Sequence, residues 1–316
     1  MSLEIRRRYF KNLIKKIPFK VNKINDLMAE VILPKDKIKK FQIQLINYMN
    51  ASITDSNKFI DSEKKIINYF SKYKDKIQNI TPNGSIIPKR ENNFEFGVLA
   101  KNYCQLLNDL NIYNKINKVH FPFNIRIKFE KIKKGHMLRK HPTETMHADG
   151  WTGADPAWVA IHFFLLGDIS KNHILYAYPP NDFQEDFLAP KINSKEGLSI
   201  SKKYKLIKYV PKKGSLIFAD NSILHCSFRK KNSGVRVSLD TGIDLINKEL
   251  KSYKRKTKKY NVDKIRSKEE IDKKIIFNIG RNYFPVFPDS INIKRNNMGG
   301  FKHSSKLKIV KIINNS

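Results

Sequence analysis

A mainly β core folded as a double-stranded β-helix, a jelly roll of cupin-like type with helices on its flanks, is the architecture this sequence predicts. Three observations predict it. Between Phe121 and Ile243 apolar residues recur with the two-residue rhythm of short strands, and eight such runs can be counted. Turn residues separate the last three, with no helix-length segment between them. On either side the texture changes, to helical spacing before and to dense charge after.

Residues 1–120 read as a helical bracing region. KIKKFQIQLINYMN and SEKKIINYFSKYKDKI place apolar residues three and four apart, Pro82, Asn83 and Gly84 mark a break, and FEFGVLAKNYCQLLNDL resumes the spacing. The core, 121–245, then offers NIRIKFEK, ETMHAD, AWVAIHFFLL, HILYAYP, YKLIKYV, GSLIFAD, ILHCSF and VRVSLDTGI as strands. A parallel nucleotide-binding sheet is disfavoured, because its strands would need crossover helices between them. Residues 246–316 form a basic extension, expected to be helical over NKELKSYKRKTKKYNVDKIRSKEEIDKKI and irregular near Pro285, Pro288 and the Gly299-Gly300 pair. There is no internal repeat and no glycine-rich phosphate loop.

Composition bounds the function classes. Hydrophobic residues are 40% of the 316 and aromatics 11%, enough to bury a sizeable core, which excludes wholesale disorder. No run approaches the roughly 18 apolar residues of a membrane span. Charges in MSLEIRRRYFKNLIKKIPFK stand where a signal peptide would have its apolar stretch, so a cytoplasmic protein is expected. Two cysteines, Cys104 and Cys226, cannot build a disulfide framework or a thiolate zinc site. The formal net charge of +33 has two readings: a solvated Lys-rich surface with no ligand, or a field that draws an anionic small molecule or nucleic acid. The run Arg6-Arg7-Arg8 with Tyr9 and Phe10 is expected to be a frayed, solvated terminus, with membrane or nucleic-acid contact as the alternative. Oligomeric state is not legible.

The residues that can carry chemistry are His147 and Asp149 in MHADGW, His225 in ILHCSF, and Arg236 in GVRVSLDTG. Residues two apart on an extended strand project to one face, so His147 and Asp149 can present an imidazole and a carboxylate to one point, and His225 can add a second imidazole. Two histidines and one carboxylate suit non-haem Fe(II) and leave three positions open for chemistry. Arg236 shares a strand face with Ser238, and a buried arginine requires an anion, for which its planar fork fits a carboxylate. A dicarboxylate cosubstrate is therefore indicated. Arg139 and Trp151 flank the triplet and are candidates for substrate contact, core packing being the alternative for Trp151. His162 is expected to bond a neighbouring strand, His136 and His141 to lie on a surface loop, and Cys226 to be a small buried hydrophobe.

In combination these residues resemble the Fe(II)/2-oxoglutarate-dependent oxygenases, particularly the phytanoyl-CoA hydroxylase-like branch with its His-x-Asp, distal His and following Arg; the resemblance covers about residues 121–243. It implies that His147, Asp149 and His225 bind Fe(II), that Arg236, helped by Ser238, pairs with the distal carboxylate of 2-oxoglutarate, and that O2 takes the last metal position. Decarboxylation to succinate would then be coupled to oxidation of a substrate C–H bond. Asp149 fills the slot that halide occupies in iron halogenases, which favours hydroxylation. The second arginine of the nucleic-acid demethylases would fall at Gly242 and is absent. The stretch HADGWTGADPAWVAIHFFLLGD is similar to oxygenases of streptomycin-type and other carbohydrate biosynthesis clusters, which implies a sugar, nucleotide-sugar or polysaccharide precursor as substrate. The alternatives are a lipid, amino acid or peptide on the same iron site, a metal-binding cupin such as an isomerase, and a basic nucleic-acid-binding protein with a silent barrel.

Overall fold

Runs that alternate inward and outward side chains close here into two antiparallel sheets that share an interior. The structure, a computed structural model, describes residues 2–245 apart from 54–58, 74–75, 78–79, 82, 87–91, 113–114, 121–122, 131–142, 153, 155, 189 and 191–193. Beyond 245 it describes only the backbone of five short strands. In chain order the helices are α1 (Leu3–Ile14), α2 (Lys35–Asn50), α3 (Glu63–Lys72), α4 (Asn93–Asp109) and α5 (Lys195–Lys202). The strands are β1 (Lys20–Lys23), β2 (Met28–Ile32), β3 (Ser85–Ile86), β4 (Ile116–His120), β5 (Asn124–Lys128), β6 (Trp158–Leu166), β7 (Asn172–Tyr178), β8 (Lys205–Ile207), β9 (Ser215–Asp220), β10 (Leu224–Arg229) and β11 (Arg236–Leu245). They are followed by β12 (Ile265–Ser267), β13 (Tyr283–Val286), β14 (Ile293–Arg295), β15 (Phe301–His303) and β16 (Lys308–Lys311).

The larger sheet runs β1-β2-β9-β6-β11, and β5 and β4 then pair with the first and second halves of β11. The smaller sheet is β10-β7-β8. The run WVAIHFFLL, the most apolar of the sequence, becomes β6 and is buried along its whole length because it has a core on each face. Val159, Ile161, Phe163 and Leu165 join the core under the helices, where Phe41 of α2 meets Phe163 edge-on with centroids 5.1 Å apart. Phe164, on the other face, packs with Ile174 and Tyr176 of the smaller sheet and with Ile217 and Ala219 of β9. The helices α2, α3 and α4 therefore cover the outside of the larger sheet, and the inside faces the smaller one.

Three sequence readings are revised. The region before residue 120 contains, besides its helices, β1 and β2, which extend the larger sheet through pairing of β2 with β9. A five-residue strand buried on both faces has no alternation that could separate it from a helical segment. The segment ETMHAD is not a strand: only His147 pairs, through an isolated bridge to His225, and the chain then coils into a 3-10 turn over Asp149–Thr152. The N-terminal arginines are not frayed. Arg6 is 2% exposed and donates to both carboxylate oxygens of Asp220, at 3.0 and 3.2 Å, and to the Pro156 carbonyl at 3.0 Å. Arg7 pairs with Asp26 at 2.6 Å. These anions and the apolar stripe Leu3, Phe10 and Leu13 hold α1 against the fold. The helix expected over 247–275 lies outside the described residues except at Ile265–Ser267, which pairs as β12 with β4. Among the described residues, no helix is long and apolar enough to cross a membrane.

One inward acid of β2 gives a pH-dependent stability. Glu30 is fully buried, which alone would raise its pKa, but it accepts from Ser215 Oγ at 2.7 Å, the Lys212 amide at 2.9 Å and Asn22 Nδ2 at 3.0 Å, and these hold it below its ordinary value. A depressed carboxylate contributes stability above the unfolded-state pKa of about 4.3 and loses it as pH falls through the folded value. Glu30→Gln is thus expected to flatten the acid limb of a stability-versus-pH curve, measured by urea unfolding from pH 6 downward; an unchanged limb would contradict the assignment.

Candidate metal centre

One strand end, an isolated bridge and one turn bring the first group of side chains together. His147 and His225 exchange backbone hydrogen bonds of 3.1 and 2.8 Å, which sets their rings side by side with centroids 4.6 Å apart. The 3-10 turn swings Asp149 back toward them, so that His225 Nε2 lies 3.6 Å from Asp149 Oδ1. That turn is pinned twice: the Gly150 amide donates to Asn221 Oδ1 at 2.9 Å, and the Asp149 carbonyl accepts from the Ala154 amide at 3.1 Å. One donor atom from each of His147, Asp149 and His225 lies within 4.8 Å of the other two. The carboxylate reaches the imidazoles by a turn and not by the two-residue alternation of a strand.

His147 and Asp149 are also presented in the state a cation needs. His147 Nδ1 lies 2.6 Å from the Thr145 carbonyl and so carries the proton there, leaving Nε2 with its lone pair free. Burial, reinforced by His225, lowers the His147 pKa and keeps the ring neutral. Asp149 is held below its ordinary value although burial opposes this, because His225, His147 and His162 surround it and the Trp158 indole N–H donates to Oδ2 at 2.8 Å. Oδ1 remains on the imidazole side. The neutral His147 imidazole, the His225 imidazole and an ionised carboxylate on one side form a donor set that fits Fe(II).

Deeper in the same interior, β11 places Arg236 and Ser238 on one face, both fully buried. All three guanidinium nitrogens of Arg236 lack a hydrogen-bond partner among the described residues, and its carbon sits 5.2 Å from the centroid of Phe164. Burial pushes its pKa down to about 10, so it is still a cation at neutral pH. Ser238 lies opposite Phe164 on β6 and Arg126 on β5. Arg126 is already committed, with its Nε 2.9 Å from Asp240 Oδ2.

The flanking candidates fare differently. Trp151 is 5% exposed and its indole donates to the Phe187 carbonyl at 2.7 Å, so it packs in the core and not at a barrel mouth. Arg139, His136 and His141 lie outside the described residues. Cys226 is buried. His162 bonds through Nδ1 to the Tyr176 hydroxyl at 3.0 Å, across to the smaller sheet, and its ring lies 5.2 Å from that of His225. Burial lowers its pKa to about 4. It therefore stands beside the donor set without belonging to it.

The residue that sequence reasoning missed is Trp158, nine positions after the carboxylate it holds; no spacing rule marks an indole N–H donor in an apolar strand. Its partner is Gly242, where an added Cβ would lie 2.0 Å from the Trp158 ring. An arginine at Gly242 has no room for the same reason. We expect Gly242→Ala to displace Trp158 and weaken Mn(II) or Fe(II) binding by about 10–100-fold, the range found when an outer partner of a metal ligand is lost. Quenching of tryptophan fluorescence by added metal measures it, and an unaltered affinity would refute it.

No protein-family model matches the chain, and no curated protein matches it either. Among solved structures the chain is similar to the non-heme alpha ketoglutarate dependent epimerase SnoN from nogalamycin biosynthesis, at 8% identity over 76% of this chain and 83% of that one, with a TM-score of 0.36. It is also similar to EctD from S. alaskensis with 2-oxoglutarate and 5-hydroxyectoine, at 13% identity over 77% and 76%, TM-score 0.40. A third is an N-substituted L-amino acid dioxygenase from Burkholderia ambifaria AMMD, at 11% identity over 70% and 86%, TM-score 0.32. Likeness at this level bears on neither activity nor the roles of single residues, which rest on the geometry above.

Proposed function

We propose that the chain is a mononuclear non-haem iron oxygenase that takes 2-oxoglutarate and O2 as cosubstrates and hydroxylates a small molecule. The observation that carries this reading is the convergence of His147, Asp149 and His225 in a barrel that also buries Arg236, a guanidinium with no hydrogen-bond partner among the described residues. His147, Asp149 and His225 would hold the iron, Trp158 keeps one carboxylate oxygen of Asp149 occupied so that the other would be left for the metal, and Arg236 with Ser238 would receive the distal carboxylate of 2-oxoglutarate. Bound iron supplies O2 activation, with two electrons drawn from 2-oxoglutarate as it is decarboxylated to succinate and two from the substrate. The protein's own work is to keep the His147 imidazole neutral, to exclude water with the apolar walls Phe164, Ile217 and Ala219, and to fix the cosubstrate at its far end.

A barrel retained only as a platform for nucleic acid would have no reason to bury a guanidinium that Asp240 helps only through its charge and that has no hydrogen-bonded acceptor among the described residues. For the substrate we propose a small anionic metabolite, first a sugar, nucleotide-sugar or polysaccharide precursor, on the strength of the residues following Asp149 and the excess of positive charge. The proposed setting is the cytoplasm.

Anaerobic reconstitution with Fe(II) and 2-oxoglutarate tests the reading. The expected results are a visible metal-to-ligand absorption band and, in air, succinate release. Absence of both from folded protein overturns it. Stimulation of succinate release by carbohydrate precursors, against amino acids and lipids, then tests the substrate assignment separately.

A further inference from the structure

Arg236 is not the only buried guanidinium with donors to spare. Arg229 ends β10, in the smaller sheet, with a side chain only 8% exposed. Its Nη2 donates to Glu144 Oε1 at 2.7 Å, whereas Nε and Nη1 are buried and, like the three nitrogens of Arg236, have no partner among the described residues. The two arginines are brought to the same end of the interior by a short chain of contacts. Arg229 pairs in register with Asn172, Asn172 Nδ2 donates to the Lys128 carbonyl at 3.0 Å and the Gly234 carbonyl at 3.3 Å, and Lys128 is the register partner of Arg236. The positive charge of Arg229 is felt at Arg236. Glu144 is shared with Lys128, whose Nζ lies 3.4 Å from Oε1, so the one acid in contact with Arg229 is already divided between two cations.

Five buried nitrogens, carrying eight N–H groups, therefore have no acceptor among the described residues, and a single carboxylate, with roughly four lone-pair sites, can accept from both guanidinium groups at once. We propose that the distal carboxylate of 2-oxoglutarate is gripped by two guanidinium groups, Arg236 from the larger sheet and Arg229 from the smaller, so that the cosubstrate ties the two walls of the barrel together. This rests on the function proposed above and adds to it a second cosubstrate-binding residue. Arg229 is placed by the bridge between His147 and His225 no less than by its own strand, because β10 carries both His225 and Arg229. Metal and cosubstrate ends of the site thus share one strand.

Titration calorimetry on the anaerobic Fe(II) protein and on Arg229→Lys decides the matter. The lysine retains the charge beside Glu144 but lacks the unpartnered donors. Two acids are compared: 2-oxoglutarate, and 2-oxobutyrate, which has the same metal-binding end and no distal carboxylate. The expected result is a loss of about 10-fold or more in 2-oxoglutarate affinity, the consequence of losing a charge-assisted bond, with 2-oxobutyrate affinity unchanged. Equal binding of 2-oxoglutarate by wild type and variant, or a parallel loss for both acids, overturns the proposal and leaves the oxygenase reading standing. Failure of the wild type to bind 2-oxoglutarate at all overturns both. Should Arg229→Lys not fold, Arg229→Gln, which leaves Glu144 in place for Lys128, is read by the same ratio.

Discussion

Arg236→Met is expected to make the ligand-free protein harder to unfold while destroying its affinity for 2-oxoglutarate. The guanidinium is fully buried with no hydrogen-bond partner for any of its nitrogens among the described residues, and the face of Phe164 offsets only part of that cost. Buried donors left unsatisfied cost on the order of 1–3 kcal/mol, so a methionine of similar reach should recover about that much in urea unfolding without metal or cosubstrate. With 2-oxoglutarate present the order reverses. Truncating one partner of a buried charge pair costs roughly 2–5 kcal/mol, a loss of about 30-fold to several thousand-fold in affinity. The wild type alone then gains ligand stabilisation, about 2.7 kcal/mol at 100 times its Kd. A variant less stable than wild type in both buffers would mean that Arg236 serves the fold and not a ligand.

The second large effect belongs to the triad. Asp149→Asn preserves an oxygen for the Trp158 indole and hence the local packing, yet removes the charge that a divalent ion requires. His225→Ala removes an imidazole and leaves the backbone bridge to His147 in place, since that bridge uses only main-chain atoms. Both are expected to lower metal affinity by more than the roughly 10–100-fold that outer-partner loss produces, and to abolish succinate release, while far-UV circular dichroism stays as in wild type. Co(II) binding, read by its visible absorption, gives the affinity without any need for turnover. Retention of wild-type affinity by both variants would disprove the metal site.

How much of this was legible follows from the range of the interactions involved. The short, apolar-rich, β-prone runs WVAIHFFLL, GSLIFAD and VRVSLDTGI are local features that become β6, β9 and β11, each buried along its whole length. The phase that puts Arg236 and Ser238 on one face is local in the same sense. Glu30 and Arg6 were opaque because a charge in an otherwise ordinary segment reads as solvent-exposed until its partners, Ser215 and Asp220, arrive from almost two hundred residues or more away. Trp158 was opaque for a different reason: its indole proton bonds Asp149 only because Gly242, on a third segment, leaves a gap for its ring.

By itself, then, the sequence determined the class of fold, the residue types able to bind a metal and an acid, and the faces on which they stand, since strand periodicity and side-chain chemistry are properties of a few neighbouring residues. Only the tertiary structure decided that Asp149 reaches the imidazoles through a 3-10 turn, that Trp158 and Gly242 hold it there, and that Arg229 of the smaller sheet is buried against Glu144. Those outcomes depend on which segments close against each other, and closure is set by burial summed over the whole chain, which no short window contains.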